Sequence, residues 1–175
     1  MKTIRALLLL CLVSLFFLQF GCKKPDDGSY VDPITLYEKV KGEWKLNDIS
    51  QVDETAKVAG ISPDEISLFS QFGFENLTLS LQVDEKNNPT AYSVSGDAPE
   101  LFPNSGYWDL STSFPAANGT APVINLYSDQ AKTDLQAQLS VVSVPGAKTE
   151  MELKLTRKSG GVAFVSYSYK LTNVQ

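Results

Sequence analysis

The sequence predicts an all-β protein: an antiparallel sheet of about eight or nine strands, closed as a barrel or stacked as a sandwich, with two short helices. Three observations predict it. Apolar and polar residues alternate in one segment after another, as in Leu77, Leu79, Leu81 and Val83 against Asn76, Thr78, Ser80 and Gln82. That is the pattern of a strand with one buried and one wet face. Turn-forming groups separate the segments, at residues 84–89, at Pro145-Gly146 and at Gly160-Gly161. Only two stretches carry helix-start signals, so the strands must cover one another.

Taken in order, Asp32-Pro33 predicts the first helix, with Asp as N-cap and Pro at the first helical position. Ile34, Tyr37 and Val40 lie at helical spacing, and Gly42 follows as the stop. The first strand opens at Glu43-Trp44-Lys45-Leu46-Asn47, with Trp44 and Leu46 on one face. Ser62-Pro63-Asp64-Glu65 predicts the second helix. Ser62 and Glu65 have capping-box spacing, and Ile61 and Ile66 have that of a hydrophobic staple. This helix should run to about Gln71 and end at Gly73. The strand of residues 77–83 follows, then a turn and a shorter strand carrying Tyr92 and Val94. Residues 97–103 read as a Pro-rich loop that leads into Tyr107 and Trp108. Leu135, Ala137, Leu139 and Val141 mark a further strand, Met151, Leu153 and Leu155 the next, and Val165, Tyr167, Tyr169 and Leu171 the last.

Ahead of this domain lies a different kind of sequence. Lys2 and Arg5 precede an apolar run from Ala6 to Phe20. As a helix it would measure roughly 22 Å, against about 30 Å for a bilayer core. It is short for a membrane span and right for a signal peptide. Leu18-Gln19-Phe20-Gly21-Cys22 closes it and resembles a lipobox, the site where a bacterial lipoprotein is cut and lipidated. Residues 1–21 are therefore read as a lipoprotein signal peptide and Cys22 as the lipidated N-terminus. Residues 22–32 form a polar tether, and residues 33–175 the barrel domain. The expected location is the outer membrane, anchored by lipid. Lys23 to Asp27 runs basic then acidic, as in the signal that sends Bacteroidetes lipoproteins to the cell surface; surface and periplasmic face both stay open.

Composition excludes several chemistries. The chain has 15 Lys and Arg and 20 Asp and Glu. Loss of Lys2 and Arg5 leaves a formal charge of 13 − 20 = −7, which disfavours nucleic acid as a partner. There is no histidine, and the two cysteines are Cys11, inside the signal, and Cys22. The usual general base, the usual zinc ligands and a cysteine nucleophile are thus missing from the mature chain. Residues 84–88 have calcium-like composition without the EF-hand pattern and read as a hairpin turn. No metal or cofactor is expected. Asp97, Glu100 and Asp109 are the carboxylates nearest the aromatic loop, but no motif accompanies them. A non-enzymatic role is expected.

Gly42-Glu43-Trp44 after a helix resembles the G-x-W signature of lipocalin-like barrels, in which the Trp packs at the closed end beneath a late basic side chain. Arg157 is the candidate for that side chain. It is the only arginine after residue 21 and shares the parity of Met151, Leu153 and Leu155, so it should point inward onto Trp44. With the strand of residues 77–83, the Phe102–Trp108 segment and the strand of residues 151–155, the chain resembles a group of Bacteroidetes lipoproteins with a lipocalin-like domain of unknown function. The resemblance covers roughly residues 36–157 and implies an antiparallel lipocalin-like (calycin-type) barrel. The final strand stands where a typical lipocalin has a C-terminal helix.

Such a barrel either fills itself or holds one small ligand. Tyr92, Trp108, Tyr127, Tyr167 and Tyr169 are the candidate interior aromatics, and Phe102 sits on the loop that could plug one end or meet a ligand. Two functions follow as expectations. One is capture of a small apolar or glycan ligand. The other is a structural or accessory role beside an envelope protein partner, with a filled barrel.

Overall fold

The computed structural model describes residues 28–146 and 149–174. The signal segment, Cys22 and the first residues of the tether lie outside the described residues. The barrel unit begins at Ile34. Its elements in order are α1 (Leu36–Val40), β1 (Gly42–Asp53), α2 (Glu54–Ala59), β2 (Glu65–Ser67), a 3-10 turn (Phe74–Asn76), β3 (Thr78–Val83), β4 (Pro89–Ser95), β5 (Ser105–Leu110), β6 (Val123–Tyr127), β7 (Leu135–Ser143), β8 (Glu150–Ser159) and β9 (Val162–Asn173).

Each strand from β3 to β9 pairs antiparallel with the next, and β9 pairs back onto β1. Eight strands close the barrel, as the alternation predicts, and β2 is one extra strand laid beside β1. The long β1 makes this possible. Its first half pairs with β3 through Gly42↔Leu81 and Lys45↔Thr78, and its second half takes β2 through Gln51↔Ile66. Along its other edge β1 pairs with β9, with an irregularity between Leu46 and Asp48. That extra residue resets the alternation, so Trp44, Leu46 and then Ile49 all face the core.

The inward faces supply one continuous core. Trp44, Trp108, Tyr92, Tyr169 and Phe74 are its largest members, each at most 3% exposed, with leucines from β3, β7, β8 and β9 packed between them. Hydrogen bonds satisfy the polar tips of both tryptophans, as burial requires.

The helices differ from expectation. α1 starts at Leu36, capped by Thr35 rather than Asp32. Thr35 and Glu38 form a reciprocal capping box, a pairing that satisfies two backbone donors where Asp32 could satisfy one. The second predicted helix is absent. Residues 65–67 form β2, and Ile61 and Ile66 are exposed instead of stapled together. The unpartnered second half of β1 wins that stretch: a strand satisfies its backbone groups, which a local helix would leave open. The real second helix is α2, where the Asp53 carboxylate caps the amides of Thr55 and Ala56. β5 and β6 lie where the alternation marked no strand. Trp108 and Leu110, then Ile124 and Leu126, supply their buried faces.

Candidate functional site

The barrel has two dissimilar ends. α1 covers the first. Leu36 and Val40 are buried there, and the Trp44 indole N–H donates to the Val40 carbonyl at 2.7 Å. Gly42 takes a φ of +112°, and a Cβ there would lie 3.1 Å from the Asn173 side chain. Trp44 therefore caps a helix terminus, and Gly42 lets the chain bend from α1 into β1.

Tyr37 fastens α1 to the wall. Its hydroxyl donates to Asp109 Oδ1 at 2.8 Å, and its ring tilts against Trp108 at 6.1 Å. Lys132 closes the network with an ion pair to Asp109 Oδ2 at 3.0 Å and a hydrogen bond to the Pro89 carbonyl. Burial first, then the Asp109 carboxylate, pushes the Tyr37 phenol up to about 12. Asp109 is thus fully engaged in holding structure. It is separated from Asn104, and hence from the Glu100 loop, by five residues of chain, roughly 16 Å along a strand. Glu100 itself accepts from Asn104 Nδ2 at 2.6 Å.

The loop of residues 97–104 covers the second end. Leu101 and Phe102 pack against the core, and Phe102 meets the Tyr169 ring edge-on at 6.1 Å. Arg157 donates to the Leu101 carbonyl, and Tyr92 donates through its hydroxyl to the Pro103 carbonyl at 3.0 Å. Gly96 bounds the loop in a conformation with φ +112°, packed so that a Cβ would lie 2.6 Å from the Asn76 carbonyl oxygen. Below the loop, Phe74, Leu77, Val94, Phe102 and Tyr169 surround a space of about 10 Å³. That is near the minimum for one water molecule. Larger hollows, about 290 to 560 Å³, are grooves on the outer surface.

The predicted aromatics divide accordingly. Tyr92, Trp108 and Tyr169 are buried in the core, with the Trp108 N–H donating to the Gln82 carbonyl at 2.7 Å. Tyr167 faces inward, half-buried, opposite Leu155. Tyr127 does not line the interior. It pairs with Tyr107 on the face opposite Trp108 and Leu126, because the register of β5 and β6 puts both tyrosines outside. The Tyr169 hydroxyl is buried and meets no partner among the described residues, and burial drives its phenol far above the ordinary value.

Arg157 does not reach Trp44. Arg157 pairs with Val165 and Val165 with Asp53, so nine residues of β1 separate the two, roughly 30 Å of strand. The parity of Arg157 is as predicted, but it lies at the opposite end from Trp44 and is exposed. Sequence reasoning marked Tyr37 only as a helix-face residue and Asp109 only as a carboxylate near the loop, and it missed Lys132, the network that joins the three, and the Glu54 cluster. In that cluster Glu54 binds Lys154 at 2.7 Å and the buried Ser166 at 2.6 Å, holding α2 to the outside of β8 and β9. Only the Thr35-x-x-Glu38 spacing was a local signal.

The described residues define a closed, all-antiparallel β-barrel with a side-chain-filled interior. The chain belongs to the family described as Domain of unknown function (DUF5004), which matches residues 19–172. No curated protein and no solved structure matches it.

Proposed function

We propose that the protein is a non-enzymatic outer-membrane lipoprotein, anchored through Cys22, whose barrel serves as a structural or accessory module beside an envelope protein partner. The filled interior is the observation that carries this reading. Trp44, Trp108, Tyr92 and Phe74 occupy the volume a ligand cup would need, which leaves the outer surface and the loops for interaction. The chemistry of the chain supports it further: no histidine is present, and Asp109 is held by Tyr37 and Lys132. The net negative charge disfavours a nucleic-acid partner.

The test is cross-linking in intact cells followed by purification from detergent-solubilised membranes. The accessory reading expects one stoichiometric envelope partner. Recovery of the protein alone, at native abundance, would sink it. Protease treatment of intact cells then separates the two faces: digestion places the domain on the surface, and protection places it in the periplasm.

A second reading, capture of a small apolar or glycan ligand, is favoured by one observation. The Tyr169 hydroxyl lies buried under the residue 97–104 loop without a partner. A buried hydroxyl of this kind costs about 1–3 kcal/mol until an acceptor reaches it.

A further inference from the structure

We infer that the loop of residues 97–104 is a displaceable stopper over a binding pocket, and that the pocket takes a small apolar molecule carrying one hydrogen-bond acceptor. This rests on the second reading above and supplies its site and ligand class.

Three observations converge on the same dipeptide. Phe102 fills the end of the barrel with an aromatic ring set edge-on against Tyr169, yet Leu101 and Phe102 are only partly buried. They cap the core from a loop and form no part of the sheet. Behind Phe102, Tyr169 is 3% exposed and lines the small space that the loop roofs, and its buried hydroxyl has no partner among the described residues. In front, the exposed Arg157 holds the Leu101 carbonyl from β8. Leu101-Phe102 is therefore clamped between a solvent-facing latch and a buried donor that nothing satisfies.

Each part has a chemical consequence. Swinging Phe102 outward would free a volume the size of a phenyl ring, walled by Phe74, Leu77 and Val94. That inner wall is apolar, with Ser95, Glu100 and Asn104 also lining the space, so the buried part of the occupant must be apolar. The one unmet donor is a phenol O–H, so the occupant gains by bringing a carbonyl, ester or ether oxygen to it. An alkane of the same length would leave Tyr169 as it is. The Tyr92 hydroxyl on the Pro103 carbonyl and the Val94 amide on the Asn104 carbonyl tie the loop's end to β4, so the displacement is confined to Leu101 and Phe102 and leaves the β1–β9 closure intact.

The experiment uses the mature chain without its lipid, residues 23–175, which retains the whole barrel unit beginning at Ile34. It is titrated with 2-pentanone, a short apolar chain of six heavy atoms with one carbonyl, and followed by amide and aromatic NMR shifts. The expected result is saturable shifts confined to residues 97–104 and the Tyr169 ring. Phe102→Ala, which removes the stopper, should tighten binding several-fold. Phe102→Leu, a milder change, should do so less. Tyr169→Phe keeps the ring and should weaken binding by about fivefold, the worth of one neutral hydrogen bond. Equal affinity of Tyr169→Phe and the parent would overturn the acceptor assignment. Saturable binding mapped to the outer face would overturn the stopper while leaving the ligand reading standing. No shift in the parent or in either Phe102 variant would overturn both.

Discussion

Tyr37 shows how much one side chain does at the α1 end. Its ring rests on Trp108 and its hydroxyl joins Asp109. Its proton is bound more tightly in the folded state than in the unfolded one. The stability this contributes is fully present below the ordinary tyrosine value and disappears as pH rises from about 10 through about 12. Alkaline denaturation followed by fluorescence should begin in that window, and Tyr37→Phe should flatten it. Arg157 makes the contrasting case. Exposed and bound to a single backbone carbonyl, it should cost no more than about 1 kcal/mol on substitution by Ala in urea denaturation. Trp44→Phe should cost about 1–2 kcal/mol, because the Val40 carbonyl loses its donor in a buried place. Parity along β8 made Arg157 legible as inward-leaning. Which end of the barrel it serves depended on the stagger between β8, β9 and β1, which no local pattern records.

At the scale of elements, the strands were legible wherever one face was wet. β3, β7, β8 and β9 alternate cleanly, and their buried sets are those the alternation marked, apart from Leu135 at the exposed start of β7 and the half-buried Val83, Val165 and Tyr167. β5 and β6 were harder to see because Tyr107, Asp109 and Tyr127 are half-buried on the outside, which blurs the contrast between faces. The second helix failed for a tertiary reason: Ser62-x-x-Glu65 has the local spacing of a cap, but β1 needed an edge partner more. α2 is held from both directions, by the Asp53 cap and by Glu54 on Lys154 and Ser166. The Lys154 and Ser166 hydrogen bonds hold the Glu54 carboxyl below its usual range. Its contribution is complete above the ordinary glutamate value and is lost as pH falls through the lowered value of the folded form. Glu54→Gln should therefore destabilise by about 1 kcal/mol at neutral pH in urea, and by nothing measurable once both forms are protonated in acid. Thr35→Ala should cost about 1 kcal/mol by removing the α1 cap.

The whole molecule joins a filled barrel to an N-terminal segment proposed to anchor it. Cys22→Ala should move the protein from the membrane to the soluble fraction, scored by ultracentrifugation. If it stays membrane-bound, the anchor proposal is wrong. The barrel itself carries a constraint of time. β1 and β9 are joined at residues 125 apart, as the Asn47–Thr172 contact shows. A ring whose first and last strands must meet cannot close while its final segment is still being delivered. Contacts so distant in sequence also form slowly, since the loop entropy must be met before they form. Under the proposed lipoprotein anchoring, the chain would cross its membrane with the ring still open, in the extended state that a narrow export channel demands. A chain stopped before Val162 would expose the edges of β1 and β8 together and should aggregate on expression.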